Sequence, residues 1–354
     1  MKNESIRVGI IGTGRIAVDS HVKDCRKAGG ELLALADVVE GRAKRFAEQF
    51  DVPHAFDDYR ELLAMPEIDV VGICSPIHAH EENAVAAFEA GKHVLMEKPP
   101  AMNEAQMQRI TDAGHAAGKL LLVGSQSVYG PSAQDLRRRI EAGDLGRIYM
   151  VHVRQCERRG TPHGWIRLKK FAGGGAGIDG NSHVLDRMLF LLGSPKPVSV
   201  VARTYNEFAN QVSTSDYMDM DFTEGLAADP EVKDVEDTTV YMVQFDNGIT
   251  AVVEVSKTAH LPNFGGCWIY GSKGGASVSD NRVHFDGPDG EDADEDLTLE
   301  PGVSWHAKMY EHLYECIREG RRETRSPGER ACLIMRIIDG MYRSAESGGK
   351  QVTL

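Results

Sequence analysis

At 354 residues, with 40 Lys and Arg against 53 Asp and Glu, the chain carries a formal net charge of −13, and no Lys/Arg-rich block offsets it. That balance excludes a phosphate-backbone partner such as a nucleic acid, and the length favours two domains, each large enough to bury its own core. The six cysteines have no C-x-x-C spacing, which excludes a zinc or disulfide framework and fits a reducing, cytoplasmic setting.

In chain order, the first strand-like run is "IRVGII" (6–11), too short for a signal segment; no later apolar run approaches the ~18 residues of a membrane span. Helical pattern follows, and then "ELLALAD" (31–37), "DVVGIC" (69–74), "HVLME" (93–97) and "KLLLVG" (119–124), each separated from the next by an amphipathic stretch. Regular alternation of this kind predicts right-handed βαβ units and a parallel sheet covered on both faces. Glycines in "KAGG", "EAGK" and "AAGK" mark the predicted helix ends. The first domain is therefore expected over 1–124 as an open, doubly wound Rossmann-type unit.

From 125 to 354 the texture changes, and strand runs follow one another at 148–154, 198–204, 238–245, 249–256, 264–271 and 275–279. The Asn-Gly pair in "FDNGIT" predicts a tight hairpin and antiparallel pairing. An α+β domain on a large, open, mostly antiparallel sheet is expected, ending in helices near 304–319 and 328–346 that are free to pack back on the first domain. A polar insert over 206–237 reads as a lid or a subunit arm, and the acidic run at 286–297 as a solvated hairpin tip, not a calcium loop.

"GIIGTGRIA" sets Gly12, Gly14 and Ala17 in a G-x-G-x-x-A pattern at a strand-to-helix junction, with Arg15 and Ile16 opening the helix. Gly12 makes the turn, Gly14 admits a pyrophosphate, and Ala17 lets helix and strand pack. Asp37 ends the second strand about twenty residues on, where a carboxylate meets a ribose 2′-hydroxyl. With Val38 and Val39 next and Arg42 already in the following helix, the pattern favours NAD, leaving NADP open should Arg42 swing round. Ligands of open α/β sheets bind outside the strands' carboxyl ends, which singles out "CSPIHAH" (74–80) and "MEKPPA" (96–101). The Glu97–Lys98 pair could be an ordinary surface turn, and its two side chains point to opposite faces of the strand.

The motifs "GxGxxA", "SPxxxH", "AGKHVLMEKPPA" and "GGGAGIDGNSHVLDRMLFLLG", in that order, resemble the glucose–fructose oxidoreductase, inositol 2-dehydrogenase and rhizopine-catabolism (Gfo/Idh/MocA) family along nearly the whole chain. The resemblance implies an NAD(P)-dependent oxidoreductase acting on a hydroxyl of a sugar, sugar derivative or cyclitol. It implies Lys98 beside nicotinamide and substrate, with His183 and Asp179 as proton-transferring and substrate-binding groups. Ser75, Pro76, His80, Glu97 and Gln126 join Gly12, Gly14, Arg15, Ile16, Ala17 and Asp37 as expected cofactor contacts. Trp165, Arg158 and His163 suit the substrate, since an aromatic face covers a sugar ring and basic groups meet hydroxyls or a carboxylate. Asp186 matches a family position with a structural role, and Ile77 departs from an asparagine there. Asp179 and His183 lack a third residue at metal-ligand spacing, so no metal is expected. The resemblance further implies a homodimer or homotetramer formed through the second domain's sheet. The rivals are lyase or glycosidase chemistry with tightly held NAD, and a ligand-sensing regulator, against which the lysine and histidine together argue.

Overall fold

The computed structural model describes residues 5–158, 160, 165–208 and 234–354. These fall into two compact units, one holding 5–126 with 303–332 and the other the described parts of 127–302 with 333–354.

In the first unit, strands β1 (Arg7–Ile11), β2 (Glu31–Ala36), β3 (His54–Phe56), β4 (Val70–Ile73), β5 (His93–Glu97) and β6 (Leu121–Gly124) form one sheet in the order β3-β2-β1-β4-β5-β6. Every neighbouring pair is parallel. Val8, Ile10, Val70, Val71, Val94, Leu95 and Met96 have no exposed surface, which explains why these strands read as unbroken apolar runs. The crossovers carry α1 (Val22–Lys27), α2 (Arg42–Gln49), α3 (Tyr59–Leu63), α4 (Ile77–Glu89) and α5 (Glu104–Ala117). Asp58 caps α3 by accepting from the Arg60 amide, Asn103 caps α5 by accepting from Gln106, and the predicted stops Gly29, Gly91 and Gly118 all have positive φ. β3 and α3 have no counterpart among the predicted elements. A three-residue strand shows too little of the period-2 pattern to be read.

The second unit contains α6 (Pro131–Ala142), β7 (Ile148–Cys156), α7 (Lys169–Ala172), α8 (Ala176–Leu192), β8 (Pro197–Tyr205), β9 (Thr238–Phe245), β10 (Thr250–Ser256), β11 (Phe264–Gly271), β12 (Gly275–Ser277), β13 (Arg282–His284) and β14 (Glu295–Asp296). α9 (Trp305–Glu319) belongs to the first unit, while α10 (Gly328–Glu346) leads to β15 (Val352–Thr353) in the second. The nine-stranded sheet runs β14-β13-β12-β11-β7-β10-β9-β8-β15. It is antiparallel except for β7 and β10, which run side by side in the same direction. The Asn-Gly hairpin joins β9 to β10. Alternate residues of β9 are buried, leaving Val240 and Met242 on the outward face. Among the described ends of the polar insert, the Phe208 amide donates to Asp237 (2.7 Å); residues 209–233 lie outside the described residues.

Candidate active site

The loop after β1 is built as the glycine spacing requires. Gly12 has φ +88°, and a Cβ there would lie 2.6 Å from the Ser75 amide nitrogen, so the loops following β1 and β4 touch where only glycine fits. A Cβ on Gly14 would instead meet nothing within 4 Å, leaving the start of the helix open to a pyrophosphate. That helix begins at Arg15, widens to a π-helical turn over Ala17–His21 and continues as α1. Ala17 is fully buried against the sheet, Arg15 pairs with Asp19 (3.1 Å), and Ile16 stays exposed.

Asp37 braces the same loop. Its Oδ2 accepts from the Thr13 amide (2.7 Å) and hydroxyl (2.8 Å), and its Oδ1 accepts from the Val39 amide (2.9 Å). Arg42 starts α2 and is buried with a guanidinium nitrogen 3.6 Å from Asp37 Oδ1, so it is turned toward this carboxylate. An open glycine, a helix start and a strand-end carboxylate at the sheet's carboxyl edge fit a dinucleotide.

After β4, the Ser75 hydroxyl donates to Asn83 (2.7 Å), Pro76 precedes the first turn of α4, and Ile77 is buried in that turn. His80 is enclosed. Its Nε2 donates to the Ser75 carbonyl (2.7 Å), and its Nδ1 lies 3.3 Å from the Pro100 carbonyl. Burial lowers its pKa and keeps the ring neutral. The histidine thus sits between the loops after β4 and β5, with the single ring proton of its neutral form directed at the Ser75 carbonyl. Gln126 opens a short 3-10 turn, Gln126–Tyr129, and is half-buried.

Lys98 leaves the end of β5 half-buried, and Glu97 turns to the opposite, interior side. Glu97 is buried and is not a surface turn residue. Its Oε1 accepts from His21 Nε2 (2.9 Å), and its Oε2 accepts from the Lys98 amide (3.1 Å). His21 Nδ1 meets the Tyr310 hydroxyl at 2.8 Å. Burial opposes charge on both partners, yet the His21 hydrogen bond and charge hold the Glu97 carboxyl at about 2. His21, next to Cys74 and Glu97, is raised to about 10 despite its burial. His21, Glu97 and His306 are of metal-ligating type, with one candidate atom each within 4.8 Å of the others among the described residues. With the His21 pKa raised and that of Glu97 lowered, these two form a buried ion pair, and His306 Nε2 lies 3.9 Å from Glu97 Oε1. The sequence reading passed over His21 because its partners lie 76 and 289 residues away.

In the second unit Asp179 lies in the first turn of α8 and His183 one turn on, half-buried. The start of α8 is held by Glu236 Oε1, which accepts from the Gly175 (2.9 Å) and Gly177 (2.7 Å) amides and from the Tyr342 hydroxyl (2.8 Å). Further along, the Tyr241 hydroxyl donates to Asn181 (2.9 Å), and Asp186 is buried on the same helix. Asp179 Oδ2 lies 2.7 Å from the ammonium of Lys257, a buried residue that sequence reasoning missed. Trp165 opens the 3-10 turn Trp165–Arg167 half-buried, and Arg158 is exposed, its amide donating to Asn263 (2.8 Å). His163 lies outside the described residues. The acidic run forms an exposed hairpin whose carboxylates pair with basic neighbours, among them Asp296 with Arg282 (3.1 Å) and Glu295 with Arg139 (2.7 Å).

Residues 6–125 match the model of the oxidoreductase family with the NAD-binding Rossmann fold, and 133–277 match the GFO/IDH/MocA C-terminal domain. D-glucoside 3-dehydrogenase of Escherichia coli (strain K12) is 29% identical over 360 residues, covering 98% of this chain and 97% of that protein. Myo-inositol 2-dehydrogenase of Thermotoga maritima is 27% identical over 270 residues, covering 76% and 74%. The solved structure of levoglucosan dehydrogenase in complex with NADH and levoglucosan superposes with a TM-score of 0.84 at 22% identity over 99% of both chains. With both of its domains matched in order and its glycine loop shaped for a dinucleotide, the chain belongs to the Gfo/Idh/MocA family of NAD-binding oxidoreductases.

Proposed function

We propose that the chain is an NAD-dependent dehydrogenase of a sugar, sugar derivative or cyclitol, with residues 1–124 serving the cofactor and 125–354 the substrate. The observation that carries the proposal is the carboxyl edge of the first sheet, where β1, β2 and β5 end in the open Gly12–Gly14 loop, Asp37 and Lys98. The dehydrogenases of glucosides and inositol that resemble the chain support a polyol as substrate.

In the oxidative direction His183 takes the proton of the reacting hydroxyl, and Asp179, one turn earlier on α8, orients the ring and favours its charged form. Lys98 donates to the carbinol oxygen and stabilises its alkoxide character. NAD, when bound, supplies the hydride acceptor. Asp37 repels a 2′-phosphate, and Arg42, turned to Asp37, supports NAD over NADP. A panel of sugars, inositols and sugar acids followed by NADH fluorescence is expected to yield at least one substrate with net NADH formation and a higher kcat/KM with NAD than with NADP. Product without net NADH would replace this reading by transient-oxidation lyase chemistry.

The same proposal includes a homodimer or homotetramer through the outward face of the second sheet, where Tyr149, Tyr205, Val240 and Met242 are exposed. Light scattering on an eluting column is expected to give a multiple of 38.8 kDa. A monomer at micromolar concentration would remove it. A cytoplasmic location is the setting in which the six buried, unpaired cysteines stay reduced, and recovery of the protein from an extracytoplasmic fraction would contradict it.

A further inference from the structure

The parallel pair in the second sheet has a chemical consequence at its carboxyl end. β7 and β10 stay in register up to Cys156 and Ser256, and the residues that follow are Glu157 and Lys257. Backbone bonds fix both: Glu157 N donates to the Ser256 carbonyl (2.8 Å), Lys257 N to Asp237 (2.9 Å), Gly160 N to Lys257 (2.8 Å) and Ala259 N to Glu157 (2.9 Å). Helix α8 lies directly on this strand end, since a Cβ at Gly180 would run into Val255 Cγ1. The outcome is an ammonium, 8% exposed in its side chain, 2.7 Å from Asp179 Oδ2 and 4.0 Å from Glu157 Oε2.

We propose that Lys257 is the positioning residue of Asp179, holding its carboxylate in one orientation on the first turn of α8, with Glu157 steadying the ammonium from the adjacent strand. This rests on the role proposed above for Asp179. A lysine this enclosed is stable only beside opposite charge, and removing it takes away the positive charge that lies 2.7 Å from Asp179 Oδ2. Two rigid strand ends deliver the pair, so the carboxylate is placed by the sheet as well as by its own helix.

The test is kinetic, with the fastest polyol of the panel, and compares Lys257→Met, Lys257→Arg, Asp179→Asn and the Asp179→Asn/Lys257→Met double variant. Lys257→Met is expected to lower kcat ~100-fold with NADH affinity kept, and Lys257→Arg to recover most of the loss. The double variant is expected to be no slower than Asp179→Asn alone, because groups that act as one unit do not add. Wild-type kcat in Lys257→Met beside an impaired Asp179→Asn, or fully additive losses, would overturn the inference. An unimpaired Asp179→Asn would instead overturn the role of Asp179, and the inference with it. Trace acetylation of the folded proteins reads the contact without turnover. Lys257 should label ~10-fold faster in Asp179→Asn than in the wild type, and equal labelling would show that the pair does not hold.

Discussion

Lys98→Ala is expected to lower kcat for the polyol substrate by ~1,000-fold or more, while the Kd for NADH changes little. A positioned proton-transferring group contributes on the order of 100- to 10,000-fold, and a charge donor to a developing alkoxide adds to that. The loss falls on kcat because the interaction strengthens as the oxygen gains charge. Lys98→Arg should restore little: the guanidinium is a wide planar fork that holds its protons far above neutral pH, where the ammonium is a compact point charge able to give one up. The backbone argues for the same result, since Val94, Leu95 and Met96 are sealed in the sheet and Glu97 anchors the Lys98 amide from the inside. Removing the side chain therefore takes away chemistry and leaves the strand in place. Stopped-flow NADH formation with NAD saturating is the measurement, and a rate within tenfold of wild type would remove Lys98 from the mechanism.

The parts of the molecule that could be read from residues alone are those governed by local pattern. β1, β2, β4, β5 and β6 are buried on both faces, so their apolar runs are continuous, and the glycine loop announces itself because Gly12 needs a positive φ and a contact no side chain would allow. Asp179 and His183 share a helix face because they are four apart. What stayed hidden is tertiary. His21 looked like one more polar residue on an amphipathic helix, and only the fold brings it to Glu97 and Tyr310. His80 carried a motif's signal, and only the fold shows its ring enclosed, with Nε2 at the Ser75 carbonyl. Lys257 had a legible signal that was passed over: "VVEVSK" runs an apolar strand straight into a lysine, as "HVLMEK" does at Lys98. A strand-end lysine is worth reading in both domains, because strand ends are where open sheets present their chemistry.

The second large effect concerns the buried pair behind Lys98. Glu97→Gln or His21→Phe leaves one member of an enclosed ion pair without its counter-charge, and breaking such a pair costs on the order of 3–5 kcal/mol. At this chain length that corresponds to a melting temperature lower by ~5 °C. The pH dependence identifies the pair. Glu97 is depressed from 4.5 to about 2, so its contribution is present above the unfolded value and lost as pH falls toward 2. His21 is raised from 6.5 to about 10, so its contribution is complete below the unfolded value and is lost as pH rises through 10. Both terms are therefore in full force only between about pH 4.5 and 6.5, and the folded protein should lose stability progressively from neutral pH toward pH 10. In His21→Phe the alkaline decline should flatten, because phenylalanine binds no proton in either state. Urea midpoints of wild type and variant across pH 5 to 10 decide it: parallel curves would mean that His21 is not charged in the folded protein, and converging curves that the buried imidazolium holds Glu97, and through its Oε2 the Lys98 amide, in place.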